Sequence, residues 1–104
     1  MGFFAHFSQM NANRISGSEA RKIVAEQNAT LVDVRSENEF GSGHAQGARN
    51  IPVQVLASRL EEIPGDRPVV VYCASGARSA AAAQFLTQAG YTVYDGGGFM
   101  NMLS

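Results

Sequence analysis

Tryptophan is absent from the chain and cysteine occurs once. One cysteine cannot form an internal disulfide, so the fold needs no oxidising compartment and the cytoplasm is the expected location. Basic residues are scarce: eight Lys and Arg stand against nine Asp and Glu, giving a net charge of −1 with both His counted neutral. That balance argues against nucleic acid or an anionic membrane as the main partner, since each calls for a basic surface. No apolar run approaches the length of a membrane span. The opening segment, Met1 to Met10, has no basic start and too short an apolar part for a signal peptide. His6 stands where a myristoylation pattern would need Ser or Thr. Internal repeats and linkers are also missing, so 104 residues imply one domain.

An apolar fraction of 45% is enough for a single core. Residues 1–13 hold three Phe and two Asn without a clear period, and read as an N-terminal arm over the core, with His6 on the surface. Residues 14–104 read as the domain. Ser16 followed by Glu19 is a capping-box pattern, opening a helix with Ala20, Ile23 and Val24 on one face and ending near Asn28. Thr30 to Val34 is a nearly continuous apolar run, as in a buried strand. The polar stretch Arg35–Asn50, with Gly41, Gly43 and Gly47, reads as a winding loop with one helical turn at Ser36–Phe40. Asn50-Ile51-Pro52 reads as a short extended piece. Val55, Leu56, Leu60 and Ile63 have helical spacing, and Pro64-Gly65-Asp66 marks a turn. Val69 to Tyr72 is the central strand, and Ser79 to Ala89 a helix whose four alanines permit close approach to the sheet while Phe85 and Leu86 pack down. After Gly90, Tyr91 to Tyr94 is a further strand, Asp95-Gly96-Gly97-Gly98 a flexible turn, and Phe99 to Leu103 a last helical turn. Strands alternating with helices predict an α/β fold with a mostly parallel sheet and helices on both faces. Ligands bind such sheets outside the carboxyl ends of the strands. Cys73 and Asp33-Val34-Arg35 both lie at such ends, so the two following loops are expected to meet.

The chemistry concentrates in Cys73-Ala74-Ser75-Gly76-Ala77-Arg78-Ser79. Small residues with a glycine let backbone N–H groups crowd towards one point, and a helix N-terminus adds positive potential. A thiol held there has a lowered pKa and serves as a nucleophile. Cysteine-based phosphatases use Cys-x5-Arg, wide enough for a tetrahedral phosphate. Here the spacing is Cys-x4-Arg, and the tighter ring suits one extra sulfur carried as a persulfide anion, which amide dipoles stabilise without a base. Arg78 either closes the loop through a salt bridge or meets the substrate. Asp33 and Arg35 alternate about Val34 onto one face, and an ion pair with each other or with Glu39 accounts for them. The alternative is that they hold the Cys73 loop. His44 reads as an organiser of its own loop rather than a base for Cys73. Ser75 and Ser79 are candidate donors to the sulfur, and Ser79 a candidate helix cap. Gly96-Gly97-Gly98 lacks the context of a dinucleotide fingerprint, and no metal-ligand cluster is evident, so no cofactor is expected.

Leu31-Val32-Asp33-Val34-Arg35, Glu39-Phe40 and Gly43-His44-Ala45-Gln46-Gly47-Ala48-Arg49-Asn50-Ile51-Pro52 together resemble the first signature of the rhodanese family. Val71 to Ser79 resembles its active-site loop, and Leu86 to Gly98 its closing segment. The resemblance implies a small single-domain rhodanese with about five sheet strands flanked by helices. It also implies a thiosulfate sulfurtransferase that works by a ping-pong route. Cys73 would take the outer sulfur of thiosulfate, release sulfite and hold a persulfide. Cyanide, a dithiol or a thioredoxin-like protein would then accept the sulfur. Phe99 and Met100 stand where the family often has tryptophan, which bears on how the pocket is walled, whereas the lack of a charged residue between Cys73 and Arg78 allows weak thiosulfate turnover and another donor. The competing reading is a low-turnover persulfide carrier or partner-binding module. A phosphatase-like or arsenate-reducing enzyme is disfavoured by a loop one residue too short.

Overall fold

A computed structural model describes residues 14–104, so the N-terminal arm and His6 lie outside the described residues. Ser16 caps the first helix, α1 (Gly17–Gln27), through the capping box with Glu19, and Asn28 ends it in the left-handed conformation. β1 (Thr30–Asp33) follows, then α2 (Glu37–Gly41), whose N-cap Ser36 forms a second capping box with Glu39. β2 is short (Arg49–Asn50). β3 (Val69–Cys73) leads into α3 (Ala77–Gln88), and β4 (Val93–Gly98) into α4 (Phe99–Leu103).

The four strands are parallel in the order β2-β1-β3-β4. About five were expected. At the outer edge of β4 a single parallel bridge, Arg14 against Asp95, stands where a fifth would pair. β3 is buried along its length. Its alternation feeds two cores: Val69, Val71 and Cys73 face Leu86 and Ile51, while Val70 and Tyr72 face Ala20, Leu31 and Met102. Each large aliphatic side chain so covered contributes about 1.5–3 kcal/mol. No helix among the described residues is long and apolar enough to cross a membrane.

Four expectations are corrected. The 55–63 stretch is not an α-helix but two 3₁₀ segments, Val53–Val55 and Ala57–Glu62, interrupted at Arg59. With three residues per turn, Val53 and Leu56, then Leu60 and Ile63, face the core, and Val55 is exposed. Asp95–Gly98 is not a flexible turn but the end of β4, with a register shift opposite Val71–Cys73. Its glycines permit close approach: a Cβ on Gly96 would fall 2.6 Å from Met102 Sδ, and one on Gly98 2.7 Å from the Ala74 carbonyl oxygen. The helix after Cys73 begins at Ala77, and Gly76, not Ser79, is its N-cap. Gly76 has φ +108°, which lets the chain turn into the helix early and leaves Ser79 inside the first turn. Phe85 is exposed, whereas Leu86 is buried.

Candidate active site

β3 delivers Cys73 at the carboxyl edge of the sheet, and the chain turns through Ala74, Ser75 and Gly76 into α3. The Gly76 N–H donates to Cys73 Sγ at 3.0 Å, and the Ser79 N–H donates to the same atom at 3.2 Å. Both lie within the reach of a bond to sulfur, and both are at the positive end of a helix of 12 residues. Cys73 has no exposed surface, while Ala74, Ser75 and Ala77 above it are exposed. Burial pushes the thiol pKa up, but the Ser79 hydroxyl and amide and the Gly76 and Ser75 amides outweigh it, so the net shift is downward. The Ser79 hydroxyl lies within bonding distance of the Gly76 carbonyl (3.1 Å) and the Gly97 carbonyl (3.4 Å). Its single proton can go to only one of these oxygens or to Cys73 Sγ at a time, and the residue sits inside the first turn of α3 rather than at its cap.

Arg78 turns to Glu39: its Nη1 and Nη2 donate to the two carboxylate oxygens at 2.8 and 3.0 Å. This fork joins the loop after β3 to α2 after β1, so the two loops do meet. The guanidinium and then the Ser36 amide pull the Glu39 carboxyl pKa down to about 2. Because the folded value lies below the ordinary one, the stabilisation is complete above about pH 4.5 and is lost as pH falls towards 2. Both side chains are more than a third exposed, so screening limits the pair to about 1 kcal/mol. Glu39→Gln should therefore cost about that much at neutral pH. The gap to the native protein should close in urea titrations towards pH 2. A gap that persists there would exclude this pair as its source.

Asp33 and Arg35 form the ion pair with each other. Arg35 Nε donates to both carboxylate oxygens at 3.0 Å and Nη2 to Oδ2 at 2.7 Å. The Asp33 hydrogen bond raises the Arg35 pKa further above its already high value. Arg35 also donates to the Gly43 carbonyl at 2.6 Å, and its guanidinium lies 4.4 Å from the centre of the Phe99 ring. The Phe99 N–H donates to the Ala74 carbonyl at 3.2 Å. The pair thus supports the Cys73 loop through Phe99 rather than by touching it. Burial holds the neighbouring Tyr72 phenol protonated well above its ordinary range, and its oxygen accepts the Ala45 N–H at 2.9 Å. His44 is exposed; its Nδ1 bonds the Phe40 carbonyl at 2.9 Å and its ring stacks on Phe40 at 3.7 Å, the loop-organising role expected of it. The contacts of Phe99 and Tyr72 were not anticipated. The pairing of Glu39 with Arg78 was missed too, although Ser36-x-x-Glu39 is a visible capping box that fixes where α2 begins.

The model of the Rhodanese-like domain family matches residues 16–100. A sulfurtransferase of Allochromatium vinosum is 40% identical over 76 residues, which cover 73% of this chain and 71% of that protein. The Bacillus subtilis protein YqhL is 52% identical over 64 residues, covering 62% of this chain, so the alignment spans about half (51%) of that relative's length. Among solved structures, the human single-domain sulfurtransferase TSTD1 superposes with a TM-score of 0.70 at 30% identity, over 88% of this chain and 95% of that one. With that match spanning both loops and the parallel sheet that carries them, the chain belongs to the rhodanese-like domain family.

Proposed function

We propose that the protein is a sulfurtransferase that moves sulfane sulfur through a persulfide on Cys73. The observation that carries this reading is the convergence of the Gly76 and Ser79 amides on the one sulfur able to act as nucleophile. In the first half-reaction the Cys73 thiolate attacks the outer sulfur of thiosulfate. A new S–S bond forms, the bond within thiosulfate breaks, and sulfite departs with its electron pair. The persulfide keeps one negative charge, which the amides hold without a proton transfer. In the second half-reaction a thiophile such as cyanide takes the terminal sulfur and returns the thiolate, so charge balances in both steps. A dithiol or a thioredoxin-like protein is the proposed cellular acceptor, and a lone catalytic thiol suits a reducing compartment such as the cytoplasm.

Two facts favour a slow carrier as the second reading. Cys73 is fully covered, so the exposed Ala74–Ser75 segment has to move before a donor reaches Sγ. The charge of Arg78 is already offset by Glu39, which leaves little to attract a dianion. Thiosulfate followed by cyanide separates the readings. Continuous thiocyanate production supports the enzyme. One sulfur gained by intact mass, released once by cyanide, supports the carrier. Absence of both products would refute sulfur transfer from thiosulfate.

A further inference from the structure

Arg14, the first described residue, reaches the cradle from outside the loop. Its Nε lies 3.1 Å from Asp95 Oδ2, and Asp95 Oδ1 accepts the Gly97 N–H at 2.8 Å. The backbone runs alongside as well, since the Ile15 N–H donates to the Asp95 carbonyl at 2.9 Å. Thus fixed, the guanidinium lies against two glycines. A Cβ on Gly76 would come within 3.1 Å of Nη2, and one on Gly97 within 3.3 Å of Nη1. Nη2 also donates at 3.4 Å, a long bond, to the Gly76 carbonyl, which already accepts the Ala80 N–H at 3.1 Å, so the guanidinium acts here chiefly by its contact with Gly76. On its other side the same Gly76 directs its N–H at Cys73 Sγ.

Gly76 is the loop residue with the most backbone freedom, having no side chain and a φ of +108°. The Gly76 N–H and carbonyl belong to successive peptides joined at a Cα with no side chain, so keeping the N–H aimed at an anion means limiting rotation at that Cα, and the Arg14 guanidinium covers the face that a side chain would otherwise fill. The Arg14 side chain is 52% exposed, so its ion pair adds little to overall stability. That makes a purely structural role a poor account of this buried-to-exposed bridge.

Building on Cys73 as the sulfur carrier, we propose that Arg14, anchored by Asp95, is a positioning residue that keeps the Gly76 N–H aimed at Cys73 Sγ. The single cysteine makes the test direct. Thiolate ultraviolet absorbance against pH, with Cys73→Ser as baseline, gives the thiol pKa whether or not reagents reach the sulfur. Arg14→Gln should raise that pKa by about one unit, near a tenfold loss of thiolate below the midpoint. Its urea midpoint should hardly change. Arg14→Lys retains the charge and can pair with Asp95, but it lacks the planar fork that also covers Gly76, so the pKa should stay raised. An unchanged pKa in Arg14→Gln, or full restoration by lysine, would overturn the positioning role. A native thiol titrating in the ordinary cysteine range would instead overturn the sulfur-carrier reading, and this inference with it.

Discussion

Cys73→Ser is expected to abolish sulfur loading while leaving the fold in place. The chain holds no second cysteine, so no other thiol can substitute. A serine hydroxyl is far too weak an acid to ionise in this cradle at neutral pH, and oxygen does not form the S–O analogue of a stable persulfide. Serine is a cleaner replacement than alanine. Its Oγ still accepts from the Gly76 and Ser79 amides, whereas alanine leaves those donors facing a void at about 1–3 kcal/mol for each unsatisfied group. Intact mass after thiosulfate treatment is the readout. It carries one trap, because oxidation of a thiol to sulfinic acid adds two oxygens, nearly the mass of one sulfur. Only the sulfur adduct is removed by cyanide. A cyanide-labile gain in Cys73→Ser would place the carrier atom elsewhere and end the proposed mechanism.

The parts of this site legible in the sequence are those set by local spacing. Alternation about Val34 put Asp33 and Arg35 on one face, and their fork is present. The run Val69 to Tyr72 announced a strand buried on both sides, and both cores meet along it. What local pattern could not supply was pairing across the fold. Glu39 and Arg78 are 39 residues apart, and Arg14 lies 62 residues before Gly76, so no periodicity joins them. Glycine was read through its commonest use, the turn. In Asp95–Gly98 it answers a different need, since β4 runs so close to Ala74 and Met102 that a side chain would collide. Ser79 was misplaced for a related reason: serine is a good N-cap, but the left-handed Gly76 took that position earlier in the chain.

Asp33→Ala should cause the largest loss of stability of any substitution discussed. The carboxylate receives Arg35 Nε and Nη2 and also the Arg35 backbone N–H at 2.9 Å, and Asp33 has no exposed surface. Its removal leaves an arginine side chain only 6% exposed with the Gly43 carbonyl and two aromatic faces for company. Breaking such a buried pair costs about 3–5 kcal/mol. A domain of this size is stable by about 5–15 kcal/mol in total, so the variant sits near the edge of folding. Its thermal midpoint should fall by about 15 °C or more. The cost comes from the stranded charge rather than from any intrinsic worth of the pair. The double variant Asp33→Leu with Arg35→Met should therefore recover much of the loss, because apolar groups need no partner there. Function should not recover with it. Without the guanidinium over its ring, Phe99 loses part of what fixes its N–H on the Ala74 carbonyl, and the loop above Cys73 loosens. Equal melting of the native protein and Asp33→Ala would show the pair to be dispensable. A double variant that melts normally yet loads sulfur slowly would separate the two duties of Arg35, holding the strand end and bracing the loop.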